Sequence, residues 1–297
     1  MGFRSGFVPI VGRPNVGKST LLNRIIGQKV AITSPKPQTT WGRILGIKTR
    51  PDAQLIFVDT PGIHEAKENF NLHMVRQAKE SIKEGDVILH VLDVTSFSPE
   101  AEEPIWKEIR KKATPVLLAL NKIDLLGDPS DLERISELCK SKCRYEGLIP
   151  ISALTGQGVQ ELEEALVSFL PEGPPYFPEG MVTDQNDRVF AREIIREKIF
   201  HFCHQEVPYC CAVVVEELRY QPQKDLIVVK ATINVERESQ KGILIGKGGR
   251  MLKRIGSLAR KELEEIWGKK VYLELWVRVQ EDWRDKDFVL RDLGLIG

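Results

Sequence analysis

A chain of 297 residues, 42% hydrophobic and 29% charged with a formal net charge of +1, has the composition of an ordinary globular protein and the length for two domains that each bury a core. No run of eighteen or more apolar residues and no charged, apolar, small-residue leader is present, which argues against a spanning or secreted protein and predicts a cytoplasmic address. The five cysteines, Cys139, Cys143, Cys203, Cys210 and Cys211, are odd in number and form no CxxC pair, so they read as buried thiols rather than a disulfide framework or a zinc site.

From residue 7 to about residue 170, apolar runs of strand length alternate with helical patterns. Strands are expected over 7–11, 44–48, 54–59, 87–93, 116–121 and 148–151, and helices over 18–26, 72–83, 100–111, 132–140 and 159–170. That alternation predicts an α/β domain with a mostly parallel, doubly wound sheet and ligands at the carboxyl ends of its strands. Residues 170–180 then carry four prolines and two glycines, which predicts a semi-rigid spacer. The expected division is 1–172, a linker over 173–181, and a second domain over 182–297. In that second part a helix over 188–202, strands over 211–218 and 226–235, helices on either side of a glycine-rich turn at 246–249, and a strand over 271–277 predict a smaller α+β domain. The tail over 282–297 reads as a short amphipathic helix docking on it.

The chemistry begins after the first strand, in Gly12-Arg13-Pro14-Asn15-Val16-Gly17-Lys18-Ser19-Thr20, a Walker A loop that opens a helix. Its glycines let the backbone wrap a phosphate chain, the amides and helix N-terminus supply partial positive charge, and Lys18 adds a full one. Ser19 offers a hydroxyl to Mg²⁺. A threonine in the polar segment Lys36-Pro37-Gln38-Thr39-Thr40 can join that ion when a γ-phosphate is present, with Thr40 preferred over Thr39. The strand over 54–59 leads into Asp59-Thr60-Pro61-Gly62, where Asp59 reaches the metal shell and the Gly62 amide meets the γ-phosphate.

Asn121-Lys122-Ile123-Asp124 reads the base. The Asp124 carboxylate accepts from the N1–H and exocyclic amine of guanine, groups that adenine lacks in that arrangement. Asn121 and Lys122 brace the loop, and Ser152-Ala153-Leu154 adds a backbone contact to the guanine oxygen. The nucleotide is therefore GTP or GDP. Lys18, Thr40, Gly62 and Asn15 are the residues expected to act on the transferred phosphate.

In the second part, residues 237–261 hold eight basic residues against one acid, Glu238, which a near-neutral total conceals. Within them lies Ile245-Gly246-Lys247-Gly248-Gly249-Arg250, followed by Lys253 and Arg254 on a helix. A GxxG turn between helices admits a sugar–phosphate backbone, and an adjacent apolar groove suits splayed single-stranded bases.

The nucleotide motifs resemble those of the translation-factor-related GTPases, a class of P-loop NTPase with a G domain. Residues 188–280 resemble a type II KH domain. In this order the two are similar, essentially end to end, to the Era-type bacterial GTPases. The resemblance implies a GTP-dependent factor that binds the 3′ end of 16S rRNA, acts in assembly of the 30S subunit, and makes peripheral contact with the inner membrane. It also implies a monomer with no small-molecule substrate besides GTP. One departure stands out: Ile63 follows Gly62 where Ras-like enzymes carry a water-orienting glutamine, so unaided turnover is expected to be slow. Related GTPases without that glutamine can bind K⁺ through a loop asparagine, a role the resemblance gives to Asn15. Two other readings stay open on the residues alone: a phosphotransferase acting on a small molecule, and an RNA-binding scaffold whose nucleotide is structural.

Overall fold

The computed structural model describes residues 2–34, 36, 40–62, 80 and 83–285. The expected helix over 72–83, Thr39, Ile63 and the tail beyond 285 fall outside the described residues, wholly or for the most part. The chain divides into two units, Met1–Asp184 and Gln185–Gly297.

In the first unit, strands β1 (Arg4–Val11), β2 (Ile44–Thr49), β3 (Ala53–Asp59), β4 (Ile88–Asp93), β5 (Val116–Asn121) and β6 (Gly147–Ile151) form one sheet in the order β2-β3-β1-β4-β5-β6. Only β2 runs antiparallel, so five strands end at the same edge. Successive residues of a strand point to opposite faces, and both faces are covered. Leu89 and Val91 of β4 and Leu117 and Ala119 of β5 pack with Leu21, Leu22 and Ile25 of α1 (Lys18–Ile26) and Leu162 and Leu166 of α4 (Val159–Phe169). Their neighbours Ile88, Leu92, Leu118 and Leu120 pack with Ile105, Trp106 and Ile109 of α2 (Pro99–Ile109) and Ile135 and Cys139 of α3 (Pro129–Lys142). Continuous burial of β3, β4 and β5 is why these stretches read as unbroken apolar runs.

The proline-rich stretch is not a free spacer. It lies along the first unit, with Phe177 and Met181 packed on Leu45, Ile47, Ile56 and Val58. The division between units falls after Asp184, later than its composition suggested. Prolines remove backbone donors and preset an extended path, and the remaining polar groups find fixed partners. The fully buried Gln54 accepts from the amides of Tyr176 (2.8 Å) and Phe177 (2.9 Å) and donates to the Phe177 carbonyl (2.8 Å). The Ser5 hydroxyl donates to the Pro174 carbonyl at 2.7 Å, and the Ile47 amide to the Val182 carbonyl at 2.8 Å.

In the second unit, β7 (Cys211–Gln221), β8 (Leu226–Val235) and β9 (Lys270–Val279) form a sheet in that order, β7 antiparallel and β9 parallel to β8. Helices α5 (Asp187–Phe202), α6 (Glu238–Ile245) and α7 (Arg250–Trp267) bury Ile194, Ile195, Ile199, Leu244, Ile255, Ala259 and Leu263, and Val229, Ala231 and Ile233 of β8 are buried too. Asn186 caps α5, its side chain accepting from the Val189 amide at 2.9 Å. Trp283 is fully buried, its indole N–H donating to the Cys210 carbonyl at 3.0 Å. All five cysteines are buried thiols outside any disulfide, and burial pushes those of Cys139 and Cys211 up, that of Cys139 to about 12.

Candidate functional site

The five parallel strands end at Val11, Asp59, Asp93, Asn121 and Ile151, and these ends with the segments that follow carry nearly every nucleotide-site residue singled out from the sequence. Between β1 and α1 the chain turns through residues 12–17. A Cβ on Gly12 would lie 2.4 Å from the Val91 carbonyl oxygen, so no other residue could leave the sheet there. Gly17, at φ 99°, would put a Cβ 2.4 Å from Asn121 Nδ2. Asn15 also sits in the left-handed region, at φ 64°. Lys18 Nζ donates to the carbonyls of Gly12 (3.1 Å) and Arg13 (2.9 Å) across this turn. Burial strips the ammonium of water and lowers its pKa to about 8, against the opposing charges of Asp59 and Glu102.

Ser19 stands on the first turn of α1 beside the half-buried Thr20. Its hydroxyl donates to Asp59 Oδ2 at 2.6 Å and lies 3.2 Å from Thr40 Oγ1. The structure thus brings the three residues expected at a metal within hydrogen-bonding reach of one hydroxyl. Asp59 is fully buried and its Oδ1 has no hydrogen-bond partner among the described residues. Burial raises its pKa, opposed by Lys18 and the Ser19 hydroxyl. A buried carboxylate with an unsatisfied oxygen beside two hydroxyls fits a hard divalent cation with oxygen ligands. Thr60 Oγ1 donates to the Ile10 carbonyl at 3.1 Å. A Cβ on Gly62 would lie 2.7 Å from the Pro14 nitrogen, which seats Gly62 against Pro14 of the phosphate turn.

Asn121 joins the phosphate side to the base side. Its Nδ2 donates to the Val16 carbonyl at 2.7 Å and its Oδ1 accepts from the Ala153 amide at 2.9 Å. Lys122, at φ 71°, pairs with Asp93 at 2.6 Å. Burial penalises the Asp93 charge, yet bonds from Lys122 and Thr95 outweigh it and hold the carboxyl below its ordinary range. Asp124 follows on an exposed turn. Ser152 is fully buried, its hydroxyl accepting from the Thr155 amide at 3.1 Å, whereas Leu154 is exposed. Arg24, at the end of α1, donates to the carbonyls of Ala153 (3.2 Å) and Leu154. Asp93 and Arg24 lie in no motif and were not visible from the sequence; their roles arise only from what the fold sets beside them.

In the second unit α6 ends at Ile245, and the turn to α7 places Gly246, Gly248 and Gly249 at φ 69°, 62° and 75°. A Cβ on Gly246 would lie 2.7 Å from that of Met251, while a Cβ on Gly248 or Gly249 would meet nothing within 4 Å among the described residues. Lys247, Arg250, Lys253 and Arg254 are exposed around the turn and Ile245 is half-buried. The Arg250 Nε donates to the Lys247 carbonyl at 3.1 Å, and the Arg254 guanidinium lies 4.1 Å above the Phe202 ring.

A mostly parallel sheet with a phosphate turn, a hydroxyl–carboxylate cluster and a base-reading loop at one edge, followed by a GxxG turn between helices, defines a P-loop GTPase domain joined to a KH domain. Residues 7–122 match the 50S ribosome-binding GTPase family and residues 206–284 the KH domain family. The chain is 51% identical to the GTPase Era of Geotalea uraniireducens over 98% of each chain, and 45% identical to that of Alkaliphilus metalliredigens over 99% of each. It is similar along 99% of its length to two solved structures, each with a TM-score of 0.94. These are a point variant of Aquifex aeolicus Era bound to GDP·AlF4⁻ (44% identity) and Era in complex with MgGDPNP and nucleotides 1506–1542 of 16S ribosomal RNA (45%). The chain belongs to the Era family of GTPases, enzymes that hydrolyse GTP to GDP and phosphate.

Proposed function

We propose that this GTPase binds the 3′ region of 16S rRNA on its KH unit, changes its RNA affinity with the nucleotide it holds, and serves 30S subunit maturation. The observation that carries the reading is the presence in one chain of the part-buried Ser19–Thr40–Asp59 cluster and the glycine turn Gly246–Gly249. The Era complex holding both MgGDPNP and 16S rRNA supports it. In this reading Gly12–Thr20 and Lys18 hold the phosphates, and Ser19, Thr40 and Asp59 hold Mg²⁺, which when bound neutralises charge on the β- and γ-phosphates. The Gly62 amide meets the γ-phosphate. Asn121, Lys122, Asp124, Ser152, Ala153 and Leu154 hold guanine, and Asn15 holds K⁺. The RNA backbone meets Gly246–Gly249, with Lys247, Arg250, Lys253 and Arg254 supplying charge. The protein works as a cytoplasmic monomer with peripheral contact at the inner membrane.

Single-turnover GTP hydrolysis, with and without an RNA ending in a single-stranded 3′ segment and in potassium or sodium buffer, tests this. Faster turnover with RNA in potassium is expected. Negligible hydrolysis in all four conditions would favour a scaffold with structural nucleotide, and equal rates in the two salts would remove K⁺ from Asn15.

Lys18 gives a separate check. Its pKa is lower in the folded chain, about 8, than the ordinary 10.5 it regains on unfolding, so the unfolded chain binds more protons between those values. The nucleotide-free fold should therefore gain stability as pH rises from about 8 towards 10.5. Phosphate restores the ammonium, so GDP affinity should weaken over the same interval, by up to about tenfold per pH unit. Fluorescence titration with GDP at pH 7.5 and 9.5 measures this, and a flat profile would mean Lys18 does not contact phosphate.

A further inference from the structure

A further buried charge lies beneath the phosphate turn, and the nucleotide motifs do not include it. Glu102, on the first turn of α2, is 1% exposed although it belongs to an acidic run that looks solvated in sequence. Its Oε1 lies 3.6 Å from Arg13 Nη1, and the same nitrogen donates to the Ser96 carbonyl at 3.0 Å. Its Oε2 lies 3.2 Å from Nε2 of the fully buried His90, whose Nδ1 is 2.9 Å from the Tyr145 hydroxyl. The Trp106 indole N–H donates to that hydroxyl at 2.9 Å.

An indole can only donate, so Tyr145 accepts from Trp106, and its hydroxyl and His90 Nδ1 share the next bond. His90 Nε2 faces the Glu102 carboxyl, which can accept from an N–H there. Burial pushes the Tyr145 pKa up, which keeps that hydroxyl protonated. The chain Trp106, Tyr145, His90, Glu102 thus ends on the guanidinium of Arg13, whose own carbonyl accepts from Lys18. A buried carboxylate without such partners would be costly, and here each oxygen has one. The Glu102 charge also favours the Lys18 ammonium.

We infer that Glu102 is a positioning residue for nucleotide binding: it anchors the phosphate turn from below through Arg13, and His90 fixes its orientation. The inference rests on reading residues 12–19 as the phosphate site. Its logic is that the turn carries left-handed and crowded positions, and a turn of that kind keeps one shape only when surrounding groups over-determine it.

The test is the equilibrium affinity of the full-length protein for GDP carrying a fluorescent N-methylanthraniloyl group, with thermal unfolding followed in parallel. Glu102→Gln and Arg13→Ala should each weaken binding about tenfold, and the double variant should lose no more than the worse single one, because both remove one anchor. His90→Leu should follow Glu102→Gln, while His90→Gln, which can still donate to the carboxylate, should restore most of the affinity. A double variant weakened about a hundredfold would overturn the inference. So would Glu102→Gln that unfolds earlier yet binds as tightly as wild type, which marks a purely structural pair. Should Glu102→Gln fail to fold, the His90 variants decide: equal affinities for His90→Leu and wild type overturn the anchor. Wild-type protein that does not bind the labelled GDP would bring down the nucleotide-site reading as well, which separates the two failures.

Discussion

Asp124→Asn should exchange xanthine for guanine as the preferred base. A carboxylate at this position offers two acceptors to the N1–H and the amine on C2 of guanine, both donors. Asparagine presents one acceptor and one donor, which leaves the guanine amine facing an N–H but matches the carbonyl that xanthine carries on C2. Because the mismatch both removes a charge-assisted bond and strands a donor, GDP affinity should fall by roughly 10⁴-fold, the scale on which a polar site rejects a ligand of the wrong pattern. Xanthosine diphosphate should gain in the variant what GDP loses. The side chain is exposed on the turn Ile123–Leu125, so the substitution should leave the unfolding temperature close to that of wild type. Displacement of a fluorescent GDP by unlabelled GDP, XDP and ADP measures all three affinities. If GDP still outcompetes XDP on the variant, Asp124 does not read the base and the loop has another purpose.

The nucleotide site was legible because each of its elements is local in sequence. A strand end, a turn and a helix start carry the phosphate residues, and Asp59 and Asn121 each terminate an apolar strand. What the sequence hid is tertiary. Asp93 looks like one more strand-terminal acid until it is seen holding Lys122. Arg24 looks like a solvated residue on a helix until its guanidinium is found on the carbonyls of Ala153 and Leu154. Glu102 belongs to a run of acids whose neighbours are solvent-facing, and nothing local marks it as the buried one. The proline-rich stretch deceives for the same reason. Its composition correctly implies an extended, non-helical path, but whether such a path hangs free or lies on a surface is decided by its partner. Its partners include Gln54, a polar residue just ahead of the apolar run in β3.

Gly248→Asp should abolish most RNA binding while leaving nucleotide binding intact. The position is suited to the test because it separates geometry from charge. Gly248 adopts φ 62° and ψ 29°, a left-handed conformation that aspartate and asparagine tolerate better than other side chains, and among the described residues no atom beyond its chain neighbours lies within 4 Å of where a Cβ would stand. The fold should survive either substitution. Asparagine keeps the turn and adds no charge, so Gly248→Asn should retain most of the affinity. Aspartate places a carboxylate among amides and between Lys247 and Arg250, at the point where a phosphate would approach. Repulsion at a partly solvated site is worth about 1–3 kcal/mol, and one neutralised cation adds to it, so RNA affinity should fall roughly 10- to 100-fold or more. The dependence of log K on log salt should flatten by about 0.7 for each phosphate of a single strand that the protein no longer neutralises. Filter binding of an RNA with a single-stranded 3′ tail, at three salt concentrations and with GDP affinity as the control, measures the effect. Equal RNA affinity for wild type and Gly248→Asp would mean that the turn does not touch the backbone, and the basic face of α7 would then have to bind RNA without it.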